Sequence, residues 1–250
     1  MGRLKIVMAF LLAAFLTGCV NPATEQKSTE LTVAAAANLK ECFERVGESF
    51  TLETGIPVSF IFGSTGQLAK QIENGAPVDV FAAADLATPQ KLARKGVLEE
   101  SIVAYAQGVL VLITKDGELI NIQSLAEENC GQIAIANPET APYGKASVEV
   151  LESQGLWNDV KEKVVYAKDI QEAVTYFKTG NVDAAFTALS LVKNKDFSYE
   201  LIDENLYNPI LQGTGITNAS QNRQAAQSFI EFLQSSKGQQ LLVDYGYKTP

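Results

Sequence analysis

Three junctions in the sequence place small polar residues where an extended apolar run gives way to helical periodicity. They are Asn38 after LTVAAAA (31–37), Ser64-Thr65-Gly66 after PVSFIF (57–62), and Asp169-Ile170 after VVYA (164–167). At such a junction the first N–H groups of the helix have no acceptor within it, and the helix dipole makes that end positive. The chemistry available there is anion binding by neutral donors. A fourth segment, Asn137-Pro138-Glu139-Thr140-Ala141-Pro142-Tyr143-Gly144, holds two prolines and a glycine that fix a tight path suited to presenting backbone amides. If several of these ends converge, they form a donor cage for a fully ionised oxyanion, built without Lys or Arg. Each also has a plainer reading: Asn38, Ser64 and Thr65 as N-caps, Gly66 as a turn residue, and the proline loop as a structural turn.

Composition narrows the remaining chemistry. The chain has 250 residues, 46% hydrophobic and 20% charged, enough for one large or two medium folded cores. It carries 20 Lys and Arg against 29 Asp and Glu, a formal charge of −9 with no basic run, which points away from nucleic acid. There is no His, which removes the commonest general base, the Ser-His and Cys-His nucleophile pairs and most transition-metal sites. An exported hydrolase using Ser64 as nucleophile is the competing reading from another class, but FGSTGQLAK matches neither SxxK nor GxSxG. A cell-surface interaction protein with a vestigial pocket is a third. The expectation is a protein without enzymatic activity.

Residues 1–18 begin with Arg3 and Lys5, run apolar from Ile6 to Leu16 and end in Thr17-Gly18. That apolar run is too short to cross a hydrocarbon core of roughly 30 Å as a helix, so it reads as an export signal, with the mature chain outside the cytoplasm. Leu16-Thr17-Gly18-Cys19 resembles the lipobox of bacterial lipoproteins, with Cys19 the lipidated residue and residues 19–30 a polar tether to the membrane. Loss of residues 1–18 removes two positive charges and leaves 18 basic against 29 acidic side chains, a charge of −11. Cys42 and Cys130 read as small buried hydrophobes, although an exported compartment also permits them to pair.

From Leu31 onward, short β-rich runs alternate with helix-period segments, the pattern of an α/β protein with mostly parallel sheets. Strands are expected at 31–37, 57–62, 78–84, 109–114, 132–136, 164–167 and 183–188. Helices are expected after Asn38, with Glu41 completing a capping box, after Gly66, from about Thr88 to Lys95, near Ser124 to Glu128, up to Gln154, and from Ile170 to Lys178. Residues 222–245 read as two amphipathic helices separated near Lys237-Gly238.

Over its whole mature length the chain resembles the periplasmic molybdate-binding proteins of ABC importers. The stretches that carry the resemblance are VAAAANL (33–39), FGSTGQLAKQIENGAPVDVFAAAD (62–85), ANPETAPYGK (136–145), QGLW (154–157) and FTALS (186–190). The second is the most specific. The resemblance implies a two-lobed type II periplasmic-binding-protein fold, each lobe a mostly parallel sheet flanked by helices. Residues 31–108 plus 214–250 would form one lobe and 109–213 the other, with crossings near Gln107-Gly108 and Gln212-Gly213-Thr214-Gly215. It implies molybdate, and tungstate with it, as ligand, an ABC permease as partner, no cofactor and a monomeric protein.

Carried over by position, Asn38 stands where the family has a Ser or Asn ligand, and Thr65 where it has a Ser, with Ser64 adjacent. Tyr143 occupies the position that offers a backbone amide from the proline loop, and Ile170 that of an apolar residue whose amide opens a helix. These residues would meet the metal only through molybdate oxygens. A tyrosine donor that some members carry is Ala188 here, with Ser190 a substitute donor. Sulfate or another small tetrahedral oxyanion is the alternative ligand, since these dianions need only donors whereas protonated phosphate favours an acceptor as well. Charge-assisted hydrogen bonds of roughly 1.5–3 kcal/mol each suffice once water is excluded. The acidic surface does not forbid this, because its field is screened beyond about 8 Å at physiological salt. Asp79 and Asp85 are assigned structural roles such as capping.

Overall fold

A strand covered on both faces must be apolar throughout rather than alternating. LTVAAA is of that kind: in the computed structural model of the protein, which describes residues 30–115 and 121–250, it forms β1 (Leu31–Ala36), buried at every position except the half-buried Thr32. Val33 and Ala35 face one core and Ala34 faces another. The export signal, Cys19 and the tether up to residue 29 lie outside the described residues.

The chain continues through α1 (Lys40–Thr54), β2 (Val58–Gly63), α2 (Thr65–Glu73), β3 (Val80–Ala82), α3 (Ala87–Arg94) and β4 (Val103–Gly108). Then follow β5 (Leu110–Thr114), β6 (Ile133–Ala136), α4 (Pro142–Ser153), α5 (Trp157–Val160), β7 (Val164–Ala167), α6 (Ile170–Lys178), β8 (Ala184–Ala188) and β9 (Tyr199–Leu201). β10 (Ile210–Ile216), α7 (Arg223–Gln234) and α8 (Ser236–Asp244) close the fold. Two five-stranded sheets result, ordered β2-β1-β3-β10-β4 and β7-β6-β8-β5-β9, each the core of one lobe.

The two sheets share one plan. In each, three parallel strands are joined by an antiparallel strand that the chain contributes just after crossing from the other lobe, β10 in the first and β5 in the second. Four strands of each sheet therefore run one way, so both sheets are mostly parallel as expected, and the one reversed strand is the one that enters from the far lobe. The return crossing precedes Ile210, so Gln212-Gly213-Thr214-Gly215 lies inside β10 and a lobe boundary at residues 213/214 would cut a strand. Those glycines serve packing at a bulge: a Cβ on Gly213 would stand 2.8 Å from Leu86 Cδ1, and one on Gly215 2.5 Å from Ile102 Cδ1.

Two further expectations are corrected. Residues Ile122–Ala126 form a 3-10 turn capped by Asn121, not a helix over 124–128. The C-terminal helices part at Ser235, whose extended backbone and Oγ cap start α8, while Gly238 sits within α8. A Cβ on Gly238 would stand 2.1 Å from Phe232 O, so glycine there permits a close approach of α7 and α8.

Register positions the site. β1 pairs with β2 from Leu31 opposite Val58 to Ala36 opposite Gly63, so both strands end level and the residues after them lie side by side. β6 and β7 likewise end level at Ala136 opposite Ala167. An aromatic cluster fixes the first lobe beneath this edge: the Phe43 ring lies 5.9 Å from those of Phe60 and Tyr105 and 6.0 Å from that of Phe229. Phe43→Ala is expected to lower unfolding free energy by about 3–5 kcal/mol in chemical denaturation. A loss within a few tenths of a kcal/mol would contradict this packing.

Candidate functional site

Each helix that starts at the interlobe edge leaves a particular N–H over. At α2, Ser64 is the N-cap; its Oγ accepts from Gln67 N (3.4 Å), its carbonyl accepts from Leu68 N (3.0 Å), and Gly66 N donates across to Thr140 O of the other lobe (2.8 Å). The Thr65 N–H remains. At α6, Asp169 Oδ1 accepts from Gln171 N (3.0 Å) and Glu172 N (2.9 Å), and its carbonyl from Ala173 N (3.3 Å), which leaves the Ile170 N–H. At α4, Pro142 has no N–H and Lys145 N donates to Ala141 O (3.1 Å), which leaves Tyr143 and Gly144. The Asn38 N–H precedes the first internal bond of the 3-10 turn Ala37–Leu39, from Lys40 N to Ala37 O.

These ends meet at one small cavity. The first lobe lines it with Ala36, Ala37, Asn38, Gly63, Ser64, Thr65 and Ala84, the second with Ala141, Pro142, Tyr143, Asp169 and Ile170. Asn38, Ser64, Thr65, Tyr143 and Ile170 are thus brought together. Five of the twelve lining residues are alanine or glycine, so backbone amides approach closely what the cavity holds. The cavity is small, about 10 Å³, the space of a single water. Thr65 Oγ1 accepts from Ala84 N (3.0 Å), which leaves its hydrogen free to donate. Asp169 is the only carboxylate lining this cavity among the described residues, and it already holds two amides of α6. Lysine, arginine and histidine contribute nothing to the lining.

Some expected roles fall differently. Asn38 is not the N-cap of α1, and no capping box forms with Glu41; Leu39 is the cap residue, without a side-chain bond. Both amide hydrogens of Asn38 are spent, on Gln212 Oε1 (3.1 Å) and Tyr247 Oη (2.9 Å), so it faces the cavity with backbone. Ser190 donates to Asn38 O (2.9 Å) and is not part of the lining, and neither is Ala188. A substitute donor at Ser190 is therefore corrected to a clamp on the Asn38 peptide, which Tyr247 Oη also holds (2.8 Å). Ser64 Oγ has Gln67 N as its bonded partner. Asp85 caps the start of α3 through Thr88 N (2.6 Å), and Asp79 accepts from Thr32 N (2.9 Å) and Ser220 Oγ (2.6 Å). Cys42 and Cys130 are both buried and unpaired.

Sequence reasoning missed the polar layer beneath the cavity. Gln212, Tyr105 and Tyr247 join Asn38 and Tyr143 there: Tyr105 Oη lies 3.0 Å from both Ala83 O and Gln212 Oε1, its one hydrogen shared between them, and Gln212 Nε2 donates to Tyr143 Oη (3.2 Å). A glutamine in the otherwise apolar and glycine-bearing ILQGTGI was the available signal. Burial pushes the pKa of Tyr105, Tyr143 and Tyr247 well above the ordinary tyrosine range, and pushes the Cys42 thiol up to about 12, Asp244 adding to the effect.

Two lobes, two crossings and a donor-lined cavity between them define a solute-binding protein. The model of the bacterial extracellular solute-binding proteins matches residues 31–248, and the chain belongs to that family, on its ModA branch. It is similar to the molybdate-binding protein ModA of Azotobacter vinelandii, 37% identical over 97% of this chain and 96% of that one. It is also similar to the putative ABC transporter substrate-binding lipoprotein YvgL of Bacillus subtilis, 30% identical over 96% of this chain and 94% of that one. Among solved structures, the periplasmic molybdate-binding protein of Azotobacter vinelandii superposes with a TM-score of 0.85, at 33% identity over 88% of this chain and 99% of that one.

The buried tyrosines and Cys42 set an alkaline limit. A group whose folded pKa is raised contributes fully below its unfolded value and loses that contribution as pH rises toward the folded value. The denaturation midpoint should therefore hold steady from about pH 7 to pH 8 and fall above about pH 10. A midpoint unchanged to about pH 12 would contradict the protonated, buried state of these groups.

Proposed function

We propose that the protein captures molybdate, and tungstate with it, between its lobes outside the cytoplasm and delivers it to the permease of an ABC importer. The observation that carries this reading is the convergence of leftover N–H groups at Thr65, Tyr143 and Ile170, from both lobes, on one small cavity. With the Asn38 backbone and the hydroxyls of Ser64 and Thr65 they supply donors to a tetrahedral dianion, each oxygen of which accepts several. No acid, base or nucleophile is needed, since the anion leaves unchanged, and no cofactor takes part. The names of the relatives, molybdate-binding and ABC substrate-binding, support the ligand and the permease partner.

The single carboxylate on the wall, Asp169, favours anions that carry no proton to share only while it stays engaged on α6; phosphate is therefore an informative control. The lipobox around Cys19 would anchor the protein to the membrane as a monomer on a tether, a reading in keeping with the lipoprotein relative.

Calorimetry with molybdate, tungstate, sulfate and phosphate tests this directly. One-to-one binding of molybdate and tungstate is expected, with sulfate and phosphate much weaker. Thr65→Val should weaken molybdate about 10- to 100-fold by removing one hydrogen bond to a charged ligand. A preference for sulfate, or unchanged binding by Thr65→Val, would contradict the assignment.

A further inference from the structure

We propose that Gln212 is the positioning residue that couples lobe closure to the alignment of the ligand amides, through its bridge from Asn38 in one lobe to Tyr143 in the other. The inference rests on the oxyanion reading above. Gln212 is fully buried at the bulge of β10, and all its side-chain bonds run to residues at or beneath the cavity. Its Oε1 accepts from Asn38 and Tyr105 within the first lobe; its Nε2 donates to Tyr143 Oη, which belongs to the second. Asn38 and Tyr143 both line the cavity, one from each lobe.

The bridge also touches the crossing. Gly108 ends β4 where the chain leaves the first lobe, and a Cβ there would stand 2.1 Å from Tyr143 Oη and 2.8 Å from Gln212 Nε2. Glycine at this crossing leaves the room that the interlobe bond occupies. A bond of 3.2 Å has little slack before it is lost, so rotation of one lobe about the crossing makes or breaks it. Because it links the lobes, it stabilises the closed form, and removing it lowers the closed fraction and hence the apparent affinity.

The test is a double-mutant cycle on the full protein with Tyr143→Phe, Gln212→Leu and both together, reading molybdate affinity by calorimetry and dissociation by stopped flow. Tyr143→Phe keeps the backbone amide and deletes only the bridging oxygen. Each single variant is expected to raise the Kd about tenfold, mainly through faster dissociation, and the double variant to be no worse than the weaker single. Small-angle scattering should show incomplete compaction of both variants with molybdate. Should Gln212→Leu not fold, Gly108→Ala, which displaces the bridge without deleting a donor, must reproduce the Tyr143→Phe effect. Wild-type affinity in the single variants, or losses that multiply in the double variant, would overturn the coupling. Failure of the wild type to bind molybdate, tungstate or sulfate would overturn the function itself, a result distinguishable because it precedes any variant.

Discussion

A buried backbone N–H without an acceptor costs about 1–3 kcal/mol, and this fold leaves such a group at the start of three helices facing one cavity. Several neighbouring amides are satisfied by other means. Ser64 and Asp169 take first-turn N–H groups of their helices, Pro142 has none to offer, and Gly66 spends its own on Thr140 across the cleft. What remains is directional and uncharged. An oxyanion seated there supplies the missing acceptors, so the same constraint that makes an empty closed cavity unfavourable makes a filled one stable. Closure and ligand binding are thereby one equilibrium.

The elements around the cavity follow from that requirement. Strands β1 and β2 end level, so that the turn at Asn38 and the cap at Ser64 are neighbours. Alanine and glycine at 36, 37, 63, 84 and 141 keep side chains out of the space between amide and ligand. Beneath them, the buried Asn38, Tyr105, Tyr143, Gln212 and Tyr247 satisfy one another, which fixes the peptides above without placing a charge near them. Ion pairs between the lobes, such as Lys195 with Glu41, lie at the surface and are screened, so they contribute little to the choice of ligand.

Much of this was legible in the sequence because it is local. An apolar run followed by a polar cap predicts a strand and a helix start, and VVYA with Asp169 and IQEAVTYFK folds as read. Asn38, Ser64, Thr65 and Ile170 stand out as residues at such junctions, whereas Tyr143 is named through the family resemblance. What was not legible depends on contacts distant in sequence. Asn38 has the composition of an N-cap, yet its side chain is drawn down by Gln212 and Tyr247, 174 and 209 residues away. Gly213 and Gly215 have the composition of a hinge, yet Leu86 and Ile102 pack against them inside a strand. Gly238 reads as a helix breaker and instead lets two helices touch. In each case local propensity was overruled by a neighbour that no short-range pattern contains.

In the proposed function the ligand is held by particular backbone amides from both lobes. Amide proton shifts in the 15N-labelled protein, followed as molybdate is added, test it most directly. The Thr65, Tyr143 and Ile170 amides should move furthest downfield, together and at one ligand per protein. Saturable binding that leaves those three amides in place while others move would contradict it.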